Sequence, residues 1–378
     1  MCGLAGKQHL AACSGGRVET RIDDGYDEFH WSHHPQPDWP ENAYTQWLAK
    51  RGVTWDELYQ GEGSAYVKNG IPREHHQTTW CAEMAIEFLT RHQDRPWFFN
   101  FNCFAPHHPF DPPKEYLERY DPADMPLPKY REGELENKPD YQKLDHIWAH
   151  NEPGYFHVAA MTDDDKRQVT AAYYAMVEHI DDEVGRMLEA LESTSQLEET
   201  VVVFMSDHGE MLGDHGLYLK GPHFYEEAVR VPLIIRYPNK FQPGLRSNAL
   251  VELTDLSPTL LDTAGFDVPA RMQGRSLLKI CSGEADSGHH RDFVFSEYYN
   301  AWSHERSYGT MLRTRNEKIV VYHGQEFGEL YDLENDPDEF ENLWDRPGSS
   351  DRKLRLLKQA FDASVFTMDP TPPRLGPF

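Results

Sequence analysis

The chain has 378 residues, which suggests two or three domains, or one large α/β domain with an appendage. Its 9 Trp, 19 Tyr and 19 Phe supply enough apolar surface for a sizeable core, so wholesale disorder is excluded. The formal charge of −26 repels phosphate backbones and anionic lipid, so we expect neither nucleic acid nor a membrane as a partner. An anionic substrate would need a local cluster of basic side chains that overcomes this negative charge.

Two further features bear on the compartment. The best apolar run, 201–205, is far shorter than the about 18 residues of a membrane span. The five cysteines are odd in number and widely spaced, which argues against a disulfide framework and slightly favours a reducing, cytoplasmic compartment. A signal peptide upstream of Met1 would indicate the periplasm instead, and the sequence does not determine the oligomeric state.

The predicted elements are those of an α/β protein. Helices followed by buried strands predict a mostly parallel sheet sandwiched by helices, and short strands with tight turns predict a small antiparallel C-terminal subdomain. We therefore expect an α/β domain over 1–284, a sheet-plus-helix subdomain over 285–368 and a disordered tail over 369–378. In chain order, the first predicted elements are a strand and a glycine-punctuated loop within 1–19, irregular structure with short helices such as 41–50 over 20–75, a helix over 79–92 and a buried strand over 97–105. A lid or specificity loop over 111–160 follows, and then a helix over 163–193 capped by Thr162 or Asp163, buried strands over 200–206 and 231–237, and a helix over 257–264 with Ser257 as N-cap. The last predicted elements are strands over 293–299, 310–313, 318–322 and 329–333, and a helix over 351–364.

An all-apolar strand ends in Asp207-His208-Gly209. In open α/β sheets, ligands bind just beyond the carboxyl ends of strands. The Asp207 carboxylate suits Ca²⁺ or Mg²⁺, and the His208 imidazole adds tolerance for Mn²⁺ or Zn²⁺, so the pair forms a candidate metal half-site. The alternative is that Asp207 caps the following turn and His208 is merely exposed. These residues alone leave both interpretations open.

The wider context of this pair carries a resemblance. The segment Ser206-Asp-His-Gly-Glu-Met-Leu-Gly-Asp-His-Gly-Leu-Tyr-Leu-Lys220-Gly closely resembles the metal-and-lysine segment of the sulfatases, within the alkaline-phosphatase-like hydrolases. Residues 6–9 resemble the G-K-x-H element of that family, and residues 106–109 resemble its P-H-x-P element. Segments 230–234, 255–261 and 329–343 also match, in the family's order. Each motif is short, but their joint occurrence over nearly the whole chain is highly specific.

The resemblance implies a role for each matching residue. Asp207 and His208 would bind a divalent metal, Ca²⁺ in particular. Lys220 and His107 would bind the sulfate oxygens, and one of them would protonate the leaving oxygen, while Lys7 and His9 would hold and activate the nucleophile. A sulfate ester develops negative charge on its oxygens during hydrolysis, and cationic side chains can stabilise that charge.

The sequence departs from the family at the nucleophile. Sulfatases use a formylglycine formed from Cys or Ser within C/S-x-P/A-x-R, and two further Asp ligands, all preceding G-K-x-H. Here the only near match, Cys13-Ser-Gly-Gly-Arg17, has glycine at the Pro/Ala position and follows Lys7. We interpret Cys13 as an ordinary cysteine, and we expect the nucleophile segment to be missing and the chain as given to be inactive.

The resemblance implies a hydrolase of a small-molecule or glycan sulfate ester or sulfamate. A phosphonate or phosphate monoester hydrolase of the same fold is one alternative, and a non-catalytic sulfatase-like binding protein is another. The substrate's identity stays open.

Other polar residues have less specific interpretations. His223 and Tyr225 fit substrate contact and simple packing equally well. The remaining interpretations are cleft wall or surface for His30, His33, His34 and His108, loop stabilisation for His215, helix-start charges for 163–165 and a solvated face for 181–183.

Overall fold

The computed structural model describes residues 1–10, 24–36, 39–59, 61–299 and 307–367. Residue contacts divide the chain into two compact units, one of Met1–Leu127 with Met161–Thr200 and the other of Pro128–Ala160 with Val201–Phe378. The predicted domain limit at 284 stays a prediction. The predicted tail over 369–378, and Cys13, lie outside the described residues.

The described residues form strands and helices in the predicted order. The strands are β1 (Cys2–Gly6), β2 (Glu28–Trp31), β3 (Phe98–Asn102), β4 (Val202–Met205), β5 (Leu233–Arg236), β6 (Phe293–Tyr299), β7 (Tyr308–Thr314), β8 (Glu317–Tyr322) and β9 (Gly328–Asp332). The helices are α1 (Ala43–Lys50), α2 (Trp55–Leu58), α3 (Gln77–Arg91), α4 (Lys114–Leu117), α5 (Asp140–Ile147), α6 (Asp163–Ser193), α7 (Glu226–Val229), α8 (Leu256–Thr263), α9 (Leu278–Cys281) and α10 (Ser350–Phe366). None of these helices is long and apolar enough to cross a membrane.

The first unit contains a parallel sheet in the order β2-β1-β3. Its core forms where Ala5 of β1 packs with Trp80 and Met84 of α3, which lie one turn apart on one face of that helix. The predicted parallel sheet with flanking helices is therefore confirmed. The prediction that 97–105 forms a buried strand is wrong, because β3 has a single neighbouring strand among the described residues and Phe98 is 41% exposed.

Helix α6 has the predicted limits and the predicted cap. The Thr162 hydroxyl accepts a hydrogen bond from Asp165 N at 3.2 Å, and the Asp165 carboxylate accepts one from Thr162 N at 2.9 Å. This capping box satisfies amides that the first turn leaves without helical partners.

The prediction of a solvated face over 181–183 is wrong, because the Glu183 side chain is completely buried. Its carboxylate accepts hydrogen bonds from Arg73 Nε at 3.2 Å and from Thr79 Oγ1 at 3.1 Å, and it pairs with Arg186. Burial opposes ionisation of this carboxyl, but the contacts with His179 and Arg186 outweigh it and lower the pKa to about 2. The charge on Glu183 therefore holds α6 to α3.

We expect Glu183 to make the chain acid-sensitive. Because its folded-state pKa lies below its ordinary value, its contribution to stability is complete above about pH 4.5 and is lost as the pH falls toward 2. The contribution is on the order of 3 kcal/mol. Urea unfolding at several pH values should show that Glu183→Gln costs stability at pH 7 and that the difference from wild type shrinks below pH 4.5. Glu189→Gln, an exposed change on the same helix, is the control, and equal pH profiles for the two variants would contradict the assignment.

The second unit contains two antiparallel sheets. Strands β4 and β5 form one pair, and β6-β7-β8-β9 form a four-stranded sheet on which α10 packs through Leu356 and Ala360. The predicted C-terminal antiparallel sheet is confirmed. The predicted complete burial of 200–206 and 231–237 is wrong, since Phe204 is 36% exposed and Ile234 is 62% exposed.

Helix α8 begins one residue earlier than predicted. Its N-cap is Asp255 rather than Ser257, and Gly265, with φ +81°, follows its end as expected. The Asp255 carboxylate accepts hydrogen bonds from Glu252 N at 2.8 Å and Arg275 N at 2.7 Å. The buried Asp255 therefore fixes the loops around the helix start.

The segment 111–160 contains α4, α5 and short 3₁₀ turns, and it is divided between the two units. Its predicted role as a lid or specificity loop stays a prediction.

A buried lysine lies between the four-stranded sheet and the segment after Lys220. Lys318 of β8 is fully buried, and its Nζ lies 2.9 Å from Glu226 Oε1 and 2.7 Å from Glu339 Oε1. It also donates a hydrogen bond to the Phe224 carbonyl at 2.8 Å. Two carboxylates and a carbonyl therefore surround this ammonium group, and nearby opposite charge is the condition under which a buried ammonium is tolerated.

Candidate active site

Lys7 and His107 follow the carboxyl ends of β1 and β3, and both lie near the ring of Phe104. These strands are parallel and adjacent, so the residues that follow them emerge at the same edge of the sheet. Lys7 Nζ lies 5.3 Å from the centroid of the Phe104 ring, and the His107 ring centroid lies 4.6 Å from it. A Cβ at Gly6 would lie 1.9 Å from Asn102 O, so glycine is required where β1 turns toward Lys7.

The orientation of His107 is fixed by its own loop. Its Nδ1 donates a hydrogen bond to His108 O at 2.7 Å, and the two rings stack at 4.3 Å. A carbonyl oxygen can only accept, so Nδ1 carries a proton and the state of Nε2 determines whether the ring is charged.

His9 lies against His33, a residue to which the sequence assigned no specific role. The two ring centroids lie 4.6 Å apart in an edge-to-face arrangement. Burial lowers the pKa of His33 to about 3, with further contributions from His9, Lys7 and His34. His33 is therefore a neutral ring among basic side chains. No motif marks it; the only sequence signal is the local density of histidines over 30–34.

Asp207 and His208 follow β4 directly, in the second unit. The Asp207 side chain is 77% exposed, and its Oδ2 lies 3.7 Å from His208 Nε2. His208 Nδ1 donates to Gly209 O at 2.7 Å, so in the neutral ring Nε2 carries the lone pair. A metal-binding histidine commonly shows this arrangement, with its other nitrogen donating to a carbonyl. A Cβ at Gly209 would lie 1.8 Å from Glu227 O, which explains the glycine after the pair.

The pair does not by itself make a complete metal centre. Ca²⁺ takes 6–8 oxygen ligands. Across the part of the chain that the structure describes, no group of three or more His, Cys, Asp or Glu side chains could hold a metal ion. The donors present therefore do not fit a full Ca²⁺ site, and we derive no reaction step through a metal.

Lys220 lies on the wall of the same cleft as the pair. Asp207, His208 and Lys220 all line an opening of about 1660 Å³ within the second unit, together with Arg230 and Arg313. The three predicted site residues of this unit therefore line one cleft. The expectation that they also converge with Lys7, His9 and His107 stays a prediction.

His223 and Tyr225, which follow Lys220, are both buried. His223 Nε2 lies 3.0 Å from Asp145 Oδ2, and a Cβ on Gly221 would come within 2.5 Å of that nitrogen. Tyr225 packs in the core, so the packing interpretation holds for this residue and substrate contact does not. Substrate contact by His223 stays a prediction.

His215 is buried, with Nδ1 2.8 Å from Glu134 Oε1. This contact is consistent with the loop-stabilising role expected for His215.

Comparison with solved structures identifies the fold. Two phosphonate monoester hydrolases, from Silicibacter pomeroyi and Agrobacterium radiobacter, each superpose with a TM-score of 0.82 over 98% of this chain. Their sequence identities are 25% and 23%, and the match covers 78% and 79% of their chains. The fold and the residues at its strand ends thus define an alkaline-phosphatase-like α/β protein, as predicted.

The family follows from sequence comparison. The family model described as Sulfatase matches residues 3–266, and a second, N-sulphoglucosamine sulphohydrolase, C-terminal, matches residues 213–364. The chain belongs to the sulfatase family. An arylsulfatase of Clostridium perfringens is 30% identical over 345 residues, which is 89% of this chain and 66% of that protein. A choline-sulfatase of Rhizobium meliloti is 28% identical over 396 residues, or 96% and 70%, and an N-acetylglucosamine-6-O-sulfatase of Bacteroides thetaiotaomicron is 29% identical over 306 residues, or 79% and 50%. The chain thus spans between half and seven tenths of the length of these relatives.

Proposed function

We propose that the protein is a sulfatase-type hydrolase in which His107 and Lys220 bind the sulfate group of the substrate, while Lys7 and His9 hold and activate the nucleophile. The 378-residue chain by itself is proposed to bind sulfate without turning the ester over. The observation that carries this proposal is that Lys7 and His107 both lie near the Phe104 ring, at the carboxyl end of a parallel sheet in a chain of formal charge −26. Such a basic group is the local exception that an anionic ester requires, and membership of the sulfatase family supports the assignment.

The chemistry assigned to these side chains is charge stabilisation and proton transfer. Cleavage of the ester bond puts negative charge on the leaving oxygen and on the other sulfate oxygens, and cations near those atoms stabilise it. Lys220 carries a proton that it can transfer to the leaving oxygen, and His107 can do so when Nε2 is protonated. Asp207 and His208 are proposed as two ligands of a divalent cation, Ca²⁺ in particular. The formylglycine nucleophile is proposed only by analogy with the family, and no step is assigned to it.

The substrate class is proposed from the relatives. Their names describe an arylsulfatase, an N-acetylglucosamine-6-O-sulfatase and a choline-sulfatase, so we propose a small-molecule or glycan sulfate ester. A phosphonate monoester is the alternative, because two phosphonate monoester hydrolases superpose with a TM-score of 0.82.

Anion binding tests the proposal. Titration with inorganic sulfate at constant ionic strength, followed by the rise in unfolding temperature, gives an apparent Kd for the 378-residue chain. Lys220→Ala and His107→Ala should each raise that Kd by about tenfold or more, since each removes a hydrogen bond to a charged group. Lys143→Ala is the control, because Lys143 is an exposed lysine paired with Asp140. Unchanged sulfate affinity in both site variants would refute the proposed site, and tighter binding of methylphosphonate than of sulfate would favour the alternative.

A further inference from the structure

The backbone between Glu210 and Lys220 forms a closed, strained loop. Met211 N donates to Leu219 O at 2.9 Å, and Gly213 N donates to Leu217 O at 2.7 Å, so the two arms pair with each other. Several residues of the loop adopt left-handed backbone conformations: Leu212 with φ +46°, Gly213 with +94°, His215 with +56°, Gly216 with +67° and Leu219 with +67°. Strained residues of this kind persist only where the surroundings hold them, and they concentrate at functional sites.

Leu219, the residue directly before Lys220, is the most informative of these. A left-handed conformation costs a residue with a Cβ roughly 1–2 kcal/mol. Leu219 is fully buried, so water cannot satisfy its peptide groups. Its carbonyl accepts from Met211 N, and its amide needs an acceptor of its own.

Glu210 supplies that acceptor. Its Oε1 accepts a hydrogen bond from Leu219 N and a second from Leu212 N at 3.3 Å. One oxygen therefore holds both ends of the loop. Burial raises the pKa of Glu210 to about 7, while the bonds from Leu212 and Leu219 and the charge of Lys220 act in the opposite direction. Lys220 is thus within electrostatic reach of the same carboxyl group.

We propose that Glu210 is a positioning residue for Lys220. Its Oε1 fixes the left-handed backbone of Leu219 and so sets the direction in which the Lys220 side chain leaves the loop. This inference rests on the proposed function, in which Lys220 binds the sulfate group. It depends on the position of an acceptor oxygen and not on the charge of the carboxyl group.

Three substitutions separate position from charge. Glu210→Gln keeps the side-chain length and the acceptor but removes the charge. Glu210→Asp keeps the charge but withdraws the oxygen by one methylene, and Glu210→Ala removes both. The readouts are the apparent Kd for inorganic sulfate and hydrogen–deuterium exchange of peptides covering 211–220.

We expect Glu210→Gln to bind sulfate within about twofold of wild type and to keep the loop amides protected. Glu210→Asp and Glu210→Ala should raise the Kd by about fivefold, the usual scale for a lost hydrogen bond, and should expose the Leu219 amide to exchange. Circular dichroism checks that each variant is folded. If the Asp and Ala variants do not fold, Glu210→Gln still decides the question, because a more than threefold loss in this folded isostere overturns the inference.

Two other results would also overturn it. Rescue by Asp but not by Gln would show that charge matters and position does not. If Glu210→Ala keeps its sulfate affinity while Lys220→Ala binds sulfate more weakly, the positioning role of Glu210 is refuted and the proposed function is not. If Lys220→Ala and His107→Ala both leave sulfate binding unchanged, the proposed function fails and the inference fails with it, so the two failures are distinguishable.

Discussion

The 378-residue chain is expected to hydrolyse 4-nitrophenyl sulfate no faster than buffer does, while still binding sulfate. The reason is that lysine and histidine side chains can hold an oxyanion, but the covalent route of the family needs an activated nucleophile. The only near match to C/S-x-P/A-x-R is Cys13-Ser-Gly-Gly-Arg17, in which Gly15 replaces Pro or Ala. Release of 4-nitrophenol with and without added Ca²⁺ is the measurement, and Cys13→Ala should change nothing.

A chimera provides the positive arm of this experiment. The nucleophile segment of the arylsulfatase from Clostridium perfringens would be joined ahead of Met1 and the same assay repeated. In an active chimera, Lys220→Ala should lower kcat by about a hundredfold or more, the scale for loss of one charge-stabilising group. Turnover by the unmodified chain that disappears in Cys13→Ala would show that the nucleophile is misassigned. If the Lys220→Ala chimera keeps full activity, the charge-stabilising role proposed for this lysine is contradicted.

Replacement of Lys318 should cause the largest loss of stability. Lys318→Met keeps most of the side-chain volume but leaves the buried carboxylate of Glu339 without its cation, whereas Glu226 keeps its pairing with Arg313. Breaking a buried ion pair from one side costs about 3–5 kcal/mol, because the remaining charge is uncompensated. Urea unfolding at pH 7 measures the loss.

The control for this prediction is Lys143→Ala, since an exposed ion pair contributes less than about 1 kcal/mol. A further variant, Lys318→Met with Glu339→Gln, removes both charges of this buried pair, leaves Glu226 paired with Arg313, and should recover part of the lost stability. A single Lys318→Met variant within 1 kcal/mol of wild type would contradict the assignment.

The elements that the sequence predicted best are those with local signals. Helix α6 has both a 3.6-residue apolar period and a capping box, and its limits were predicted to the residue. The antiparallel sheet followed from short β-branched runs between turns. Burial was predicted less well, because it depends on residues far away in sequence. Glu183 looked like part of a solvated face, whereas its partner Arg73 is 110 residues away.

The candidate site shows the same division. Lys7, His107, Asp207, His208 and Lys220 lie in short motifs that carry a family resemblance, so they could be named from sequence. His33 lies outside these motifs, and Glu210 lies inside one without a role of its own. Their significance appears only when ring contacts and backbone conformation are known. The same holds for His223, whose contact with Asp145 joins residues 78 positions apart.

The buried bonds of Lys318 also bear on how this protein can be cut and recombined. Through Phe224 they join strand β8 to the residues just after Lys220, so the C-terminal sheet is part of the support for the lysine segment. The two family models overlap over 213–266, the stretch that contains both Lys220 and Phe224. If segments of two relatives were joined at residue 284, Lys318 and Glu226 would come from different proteins. If they were joined upstream of residue 201, Lys318 and its partners would come from the same protein. A crossover before β4 therefore keeps the bonds of Lys318 together, but residues 128–160 must be exchanged with it, because Asp145 in that segment contacts His223.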